Sequence, residues 1–386
     1  MSKVAEVAEQ PDVKAALSGF EQNVGGIVDL AVEIQQIPSP TFEEEARANF
    51  LESKFHEIGL QRVERDSLHN VYGFLGGDGK GDPLIISAHT DTVFAAETDL
   101  TITRNGDHIS GPGIADNSLG VAGLLTVAQT LRQLGVELQR EVWFVGNVGE
   151  EGLGDLCGMR AVVDYFGRRG RYIVLEGGLF GYLCHEGIGV RRFRISVDGP
   201  GGHSWGAFGT PSATHVLGRL IARLAELEVP NDPKTTYNVG VIEGGTTVNS
   251  IARKASLLLD LRSEEPGALE ALVKQVRKIA EEMPRADEIN VGLETIGNRP
   301  AGRIRRRTPL VRWAEAALKQ VGCDEPEYTM ASTDANIPLS YGLPAVCIGL
   351  SRSGKTHRPD EYMEVSSIPA GMGQAVLLAL VAAGPG

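Results

Sequence analysis

The opening part of the chain has apolar residues at helical spacing. This spacing covers about residues 13–60 and is interrupted by Pro38 and Pro40, so it predicts two opening helices. Thr41 is followed three residues later by Glu44, which is the pattern of a capping box. The second helix is therefore expected to begin at this pair.

Short continuous apolar runs follow the opening helices. They lie at 71–75, 84–87, 142–145 and 172–175, and each has the length of a buried strand. Residues 119–134 carry helical spacing between two of these runs, as a βαβ crossover requires. The pattern predicts an α/β fold with a mixed, mostly parallel sheet flanked by helices.

The pattern changes near residue 190, where Phe193, Ile195 and Val197 alternate with polar residues as in a half-exposed antiparallel strand. The order of elements from there on is β-α-β-β-α-β, which is the ferredoxin-like split βαβ arrangement. After Gly302 the pattern of the first part resumes. We therefore expect a catalytic domain of residues 1–188 and 298–386, with an α+β domain of residues 189–297 inserted into it. The remaining predicted elements are helices at 212–227, 266–282 and 310–321 and strands at 237–242, 255–261, 289–296 and 345–349.

Composition narrows the class of protein. The chain has 386 residues, of which 42% are hydrophobic, and a formal net charge of -13, so nucleic acid is not an expected partner. Four scattered cysteines form no CxxC pair and are expected to be reduced thiols. The N-terminus lacks an apolar signal region, and the sequence indicates no membrane span. These features favour a cytoplasmic protein.

Side chains that bind metals stand at the ends of the apolar runs. Because open α/β sheets place ligands at the carboxyl ends of their strands, these residues are expected to converge. They are His89 and Asp91 in SAHTD, Asp116 in GPGIADNSLG, Glu150 and Glu151 in GNVGEEG, Glu176 at the end of YIVLE, and His357 in SGKTHRPDEY.

Imidazoles and carboxylates without cysteine are typical of hydrolytic zinc sites. One carboxylate that bridges two ions would hold them about 3.5–4 Å apart, and Asp116 is the bridging candidate. Glu150 and Glu151 are expected to divide between general base and ligand, while Asp91 lies two residues from His89 and is expected to orient it. Each signal is weak alone, since a single histidine after a strand is more often a hydrogen-bonding residue. Their combination favours the metal site.

The segments SAHTDTV, GPGIADNSLGVAGLL, GNVGEEGLG, GPGGHSW, GGTTVNSI and LDLRS carry a family resemblance. Over nearly the whole chain, the sequence resembles the di-zinc exopeptidase family that includes peptidase T, glutamate carboxypeptidase, aminoacylase and succinyl-diaminopimelate desuccinylase. The resemblance implies two Zn²⁺ ions, with Co²⁺ or Mn²⁺ as substitutes, and an inserted lid domain that mediates homodimerisation. It implies that His89, Asp116 and Glu176 hold one ion, that Asp116, Glu151 and His357 hold the other, that Asp91 orients His89, and that Glu150 is the general base.

The resemblance also implies roles for three residues of the inserted domain. His203 would donate a hydrogen bond to the oxyanion, in its own or the partner's site, and the alternative is a turn histidine. Asn249 would bind the substrate carbonyl. Arg262 would bind its carboxylate, because a guanidinium matches two oxygens, and the alternative is a surface salt bridge.

The expected function is that of an exopeptidase acting on short peptides, and the alternative is an amidohydrolase of N-acyl or N-carbamoyl amino acids. Within the family, glutamate at position 176 accompanies carboxypeptidases and deacylases. The segments STDANIP and GLPAVCIGL instead resemble tripeptidase-like members. A third possibility is a relative that binds metal or small molecules without turnover. A residue able to act as ligand or base stands at every expected site position, and this counts against a protein without turnover.

Overall fold

Helices and strands alternate along most of the chain in the computed structural model, which describes residues 2–283 and 289–384. The helices are α1 (Lys3–Ala8), α2 (Pro11–Gln22), α3 (Val24–Gln35), α4 (Glu45–Ile58), α5 (Gly120–Leu134), α6 (Cys157–Tyr165), α7 (Ala213–Ala225), α8 (Pro266–Glu281), α9 (Pro309–Gln320), α10 (Asn336–Ser340) and α11 (Ile368–Ala383).

Strands are more numerous than the apolar runs of the sequence indicated. They are β1 (Gln61–Arg65), β2 (Val71–Gly76), β3 (Leu84–His89), β4 (Thr103–Asn105), β5 (His108–Ser110), β6 (Val142–Asn147), β7 (Arg171–Glu176), β8 (Tyr182–Gly187), β9 (Gly189–Asp198), β10 (Gly202–His203), β11 (Thr235–Gly244), β12 (Ser250–Ile251), β13 (Lys254–Ser263), β14 (Asn290–Arg299), β15 (Gly302–Arg303), β16 (Glu327–Ala331), β17 (Ala345–Gly349), β18 (Ser353–Gly354) and β19 (Tyr362–Glu364).

Contacts divide the chain into two units. The first comprises Met1–Gly187 and Gly302–Gly386, and the second is Ile188–Ala301. The sequence placed these divisions at 188/189 and 297/298. The later division lies four residues further along because β14 continues to Arg299 in the sheet of the second unit.

The first unit is built on a mixed sheet in the order β1-β2-β6-β3-β7-β17-β8-β15, with β16 also paired to β8. The four central strands β6, β3, β7 and β17 are parallel to one another. They are buried on both faces, because Ile86 and Phe144 belong to one apolar cluster while Ile85 and Trp143 belong to another. The predicted α/β class is confirmed.

Helix α11 corrects the expectation that no segment is long and apolar enough to cross a membrane. Residues Val365–Ala383 have a mean hydropathy of 1.7, but 78% of this stretch is buried inside the protein. Helix α11 packs against α9, α2 and α5. Its apolar surface is therefore accounted for as part of the core of the first unit.

The opening helices also differ from the sequence prediction. The first predicted helix is divided at Asn23 into α2 and α3. Thr41 and Glu44 form no capping box, since Glu44 stands before α4 without a side-chain capping bond. Both side chains instead make long-range hydrogen bonds at the site described below, and these contacts replace the local one.

The second unit has a four-stranded antiparallel sheet in the order β11-β13-β9-β14. With α7 and α8, its main elements run β-α-β-β-α-β, as the alternating pattern predicted. Phe193, Ile195 and Val197 are buried and pack in the apolar cluster of this unit. The intervening side chains of β9 are more exposed, so the sheet has one apolar and one polar face.

Candidate metal centre

Parallel pairing brings the predicted metal-binding side chains to one edge of the sheet in the first unit. His89 is the last residue of β3, Glu176 is the last residue of β7, and Glu151 follows β6 by four residues. Asp116 lies in the irregular turn Ile114–Leu119 that leads into α5, and His357 lies in the loop between β18 and β19. The carboxyl ends of neighbouring parallel strands therefore supply the site, as expected for an open α/β sheet.

The two carboxylate oxygens of Asp116 face different histidines. Its Oδ1 is 3.1 Å from His89 Nε2, and its Oδ2 is 3.2 Å from His357 Nε2. His89 Nε2 is also 3.7 Å from Glu176 Oε2, while His357 Nε2 is 3.1 Å from Glu151 Oε1. Two groups of donors thus share Asp116, which is the geometry of a bridging carboxylate.

The spacing and chemistry of these donors fit metal ions. Ligand bonds of about 2.0 Å around a tetrahedral zinc ion separate neighbouring ligand atoms by about 3.3 Å. The separations of 3.1 to 3.7 Å between histidine nitrogens and carboxylate oxygens match this value. One ligand atom each from His89, Asp116 and Glu151 lies within 4.8 Å of the others. The site is therefore a candidate metal centre, and Asp116 is the residue that two ions held there would share.

Charge is concentrated in this cluster. Burial would raise the pKa of Asp116, but hydrogen bonds from His357 and His89 outweigh it and hold the pKa well below its usual range. Burial raises the pKa of Glu176. Buried carboxylates that stand close together are stable as anions only beside compensating positive charge, which bound cations supply.

Asp91 holds the loop after β6 as well as His89. Its Oδ1 lies 3.4 Å from His89 Nδ1 and accepts a hydrogen bond of 2.9 Å from the backbone N–H of Glu150. Its Oδ2 accepts from the backbone N–H of Glu151 at 2.9 Å and from Thr41 Oγ1 at 2.9 Å. His89 Nδ1 is also 3.1 Å from the backbone carbonyl oxygen of Asp91. Asp91 therefore orients the candidate ligand His89, and its carboxylate positions the Glu150–Glu151 pair.

The sequence left Glu150 and Glu151 to divide the roles of base and ligand. The structure places the Glu151 carboxylate against His357, among the candidate ligands. Glu150 is also buried and is held beside this group by its backbone bond to Asp91. The roles of general base for Glu150 and ligand for Glu151 stay predictions.

Glu44 is a site residue that the sequence misassigned. Its carboxylate is buried and accepts a hydrogen bond of 3.1 Å from the backbone N–H of Gly149. Gly149 has a φ of 65°, and a Cβ there would overlap the sulfur of Cys157, so glycine is required immediately before Glu150. The loop before α4 therefore supports the loop that carries Glu150 and Glu151.

Glu361 is a second residue that the sequence missed. It is completely buried, and its Oε1 accepts hydrogen bonds of 2.9 Å from the backbone N–H groups of both Ala115 and Asp116. Its Oε2 accepts from the backbone N–H of His357 at 3.0 Å. Burial, together with the charge of Asp116, raises the pKa of Glu361 to about 7. This carboxylate ties the turn of Asp116 to the loop of His357.

A third buried acid, Asp334, is hydrogen-bonded to a residue of β6. Its Oδ2 accepts a hydrogen bond of 2.6 Å from Asn147 Nδ2, and Asn147 is the residue paired with His89 across the sheet. Burial raises the pKa of Asp334 to about 7. It belongs to STDANIP, which the sequence singled out only for its resemblance to tripeptidase-like members.

The predicted residues of the second unit fall into two groups. His203 in β10 pairs with Ser250 in β12, so Asn249 is close by, and Asn249 O accepts a hydrogen bond from Ser204 N–H. The Nδ1 atom of His203 accepts from the backbone N–H groups of Trp205 and Gly206 at 3.2 and 3.3 Å, which leaves the proton on Nε2. His203 is therefore a turn histidine that also presents a donor.

Arg262 lies apart from this pair. Arg262 is near the end of β13, whereas Lys254 is the first residue of this strand. At the usual rise of a strand, the eight residues between them correspond to about 27 Å along the sheet. Its Nε donates to Asp260 Oδ2 at 2.7 Å, so Arg262 makes the salt bridge that was the alternative to substrate binding. The substrate role of Arg262 stays a prediction.

The α/β fold and the cluster of histidines and carboxylates define a metallohydrolase. The chain belongs to the Peptidase family M20/M25/M40, whose sequence pattern matches residues 85–381. The members of this family that it resembles include both peptidases and amidohydrolases. The family resemblance inferred from the sequence motifs is confirmed.

Similar proteins come from several bacteria. The chain is 25% identical over 343 residues to carboxypeptidase G2 of Pseudomonas sp., covering 84% of this chain and 80% of that protein. A tripeptidase structure from Staphylococcus aureus matches with a TM-score of 0.76 and 20% identity, covering 93% of this chain and 99% of the other. The structure of the YXEP protein of Bacillus subtilis, a dinuclear metal-binding peptidase, matches with a TM-score of 0.66 and 16% identity. The match covers 94% of this chain and 99% of the YXEP chain. Both of these solved structures have the same fold as this chain.

Proposed function

We propose that this protein is a two-metal exopeptidase that cleaves the terminal amide bond of short peptides, with zinc as the metal. The observation that carries the proposal is the position of Asp116, whose two oxygens face two separate histidine–carboxylate pairs. A site for one ion would need only one such pair. The dinuclear site of the similar Bacillus subtilis peptidase supports the same stoichiometry.

The residues around Asp116 have complementary tasks in this proposal. His89 and Glu176 would hold one ion, and Glu151 and His357 the other. Metal ions held there would act as Lewis acids that polarise the scissile carbonyl and lower the pKa of water. Cobalt and manganese are expected substitutes for zinc, because the donors are imidazole and carboxylate without thiolate.

Glu150 is the proposed general base. It would accept a proton from the attacking water and deliver it to the leaving nitrogen. The backbone N–H of Glu150 donates to Asp91 Oδ1, which holds Glu150 in the same loop as the candidate ligand Glu151. No residue of the chain needs to form a covalent bond to the substrate in this mechanism.

We propose that the second unit takes part in substrate binding and in homodimerisation. His203 presents an Nε2–H donor suited to an oxyanion, and Asn249 lies beside it. Arg262 lies at the other end of β13, too far for one short substrate to contact all three residues of one chain. We therefore propose that His203 and Asn249 contact one substrate of a homodimer and that Arg262 binds the carboxylate of the other.

The edge strand β11 supports the lid domain as the dimer interface. In the described part of the chain β11 pairs on one side only, and Val241 and Ile242 on it are exposed. A long edge strand with exposed apolar residues readily pairs with another chain. We therefore propose that the protein is a homodimer, and we also propose that it is cytoplasmic.

A deacylase is the second candidate. Glu176 favours it by the family pattern described above, whereas the fold of the Staphylococcus aureus tripeptidase and the STDANIP segment favour the exopeptidase. Carboxypeptidase G2 supports a third direction, namely cleavage at the carboxyl end. All three reactions use the same metal site and differ in which end of the substrate is recognised.

The test is hydrolysis of a free tripeptide beside its N-acetylated counterpart by the metal-loaded protein, with a chelator-treated control. Release of the N-terminal residue from the free peptide alone supports an aminopeptidase. Cleavage of the blocked compound alone identifies a deacylase or carboxypeptidase and contradicts the aminopeptidase. Equal turnover in the chelated control would refute the metal-dependent mechanism.

A further inference from the structure

Phe42 is an aromatic residue in a backbone conformation that favours glycine. The turn from Pro40 to Glu43 is closed by a hydrogen bond from Glu43 N–H to Pro40 O, and Phe42 is the third residue of this turn. Its φ is 77°, which is strained for a bulky side chain and is normally adopted by glycine at this turn position. An aromatic residue held there needs a reason other than the turn itself.

The turn of Phe42 is fastened to the metal centre on both sides. Thr41 Oγ1 donates to Asp91 Oδ2, and Pro40 forms a bridge with Thr92 directly after Asp91. On the other side, the buried carboxylate of Glu44 accepts a hydrogen bond from Gly149 N–H. The neighbours of Phe42 thus contact the residues that hold His89 and Glu150.

The Phe42 side chain is nevertheless 66% exposed. A rigid aromatic side chain that is anchored through its neighbours yet open to solvent can contact a ligand at little entropic cost. Three other exposed apolar residues lie near metal-site residues in sequence. They are Val93, two residues after Asp91; Leu153, two residues after Glu151; and Leu179, three residues after Glu176.

We propose that Phe42 is a specificity-determining residue that packs against an apolar side chain on the substrate residue next to the scissile amide. This inference rests on the proposed hydrolase function and adds the class of substrate, namely peptides or acyl amino acids with a large apolar residue at that position. Substrate pockets commonly combine a few polar groups with an apolar lining, and the exposed side chains on these four loops supply the lining.

Glycine in place of Phe42 gives a sharp test, because it removes the ring and relieves the backbone strain together. The measurement is the ratio of kcat/KM for leucyl over glycyl substrates, using Leu-Gly-Gly with Gly-Gly-Gly and N-acetyl-leucine with N-acetyl-glycine. Phe42→Gly is expected to lower this ratio by about tenfold or more, the usual scale for a lost apolar contact. Phe42→Leu, which keeps an apolar side chain, is expected to restore most of the preference.

Arg62→Gly is the matched control. Arg62 also has a positive φ of 46° and an exposed side chain, but it lies on β1 beside Phe74, towards the end of the sheet away from His89. The leucyl-to-glycyl ratio of kcat/KM for Arg62→Gly should equal that of the wild type. Metal content, measured by mass spectrometry, should be the same in wild type and Phe42→Gly, which separates a substrate effect from damage to the metal centre.

Two outcomes would overturn the inference and are distinguishable. If the wild type hydrolyses a substrate pair and Phe42→Gly leaves the leucyl-to-glycyl ratio unchanged, Phe42 does not determine specificity and the proposed function stands. If the metal-loaded wild type hydrolyses neither pair, the proposed function fails and the inference fails with it.

Discussion

The buried carboxylate of Glu361 offers a strong test of how this site is held together. It accepts three backbone hydrogen bonds, two from the Ala115–Asp116 turn and one from His357. In Glu361→Gln the remaining oxygen can still serve the turn, but the new amide N–H₂ faces the N–H of His357. Two donors then oppose each other in a fully buried position.

The expected size of the effect follows from the lost bond. A buried donor left without an acceptor costs about 1–3 kcal/mol. If the His357 loop must return to its place for metal to bind, this cost lowers metal affinity by about 10- to 100-fold, which is the range found for residues that orient metal ligands. Glu361→Ala, which removes all three acceptors, should weaken metal binding further and lower the melting temperature.

The assay is competition for Zn²⁺ between the metal-free protein and a chromophoric chelator. Glu364→Gln is the matched control, since the same chemical change falls three residues further along, where the side chain forms an ion pair with His108 at 3.8 Å. Its metal affinity should equal that of the wild type. Binding by Glu361→Gln within twofold of the wild type would show that the Asp116 turn and the His357 loop keep their positions without Glu361.

Three further predictions concern the catalytic base, the bridging carboxylate and the dimer. Glu150→Gln should retain its metal and lose at least about 100-fold in kcat, because a general base contributes that much or more, and unchanged turnover would refute the role. Asp116→Asn should bind fewer than two metal ions per chain by mass spectrometry, whereas His357→Ala should keep the ion at His89. Two ions per chain in Asp116→Asn would contradict the bridging role of Asp116. Ile242→Lys on the β11 edge should give a monomer in light scattering, and a dimer that persists would rule out this edge as the interface.

Local patterns predicted the framework of the site well, for reasons that particular residues illustrate. His89 and Glu176 end apolar runs that are long enough to be strands and too short to be helices, so their position at the sheet edge followed from the chain itself. Asp116 followed from its glycine-rich turn before the clearest helical pattern. The α-β order of the second unit was likewise visible in alternating residues such as Phe193 and Ile195.

Supporting residues could not be found in this way. Glu44 resembled a capping residue, because its long-range bond to Gly149 has no local signature. Glu361 lies in a polar loop that carries no periodic signal. Its partner Ala115 is 246 residues away in the chain, and only the folded chain shows that a charged residue there is buried.

Sequence patterns were enough to predict the fold class and the family, and they selected the candidate metal-binding side chains. These depend on residue type, short-range periodicity and motif order, which are properties of local segments. The folded structure was needed to show which carboxylate faces which histidine, since Glu151 and His357 are 206 residues apart in the chain. It also decided that Asp91, Glu44 and Glu361 hold the loops, because burial and hydrogen-bond partners depend on packing between distant segments.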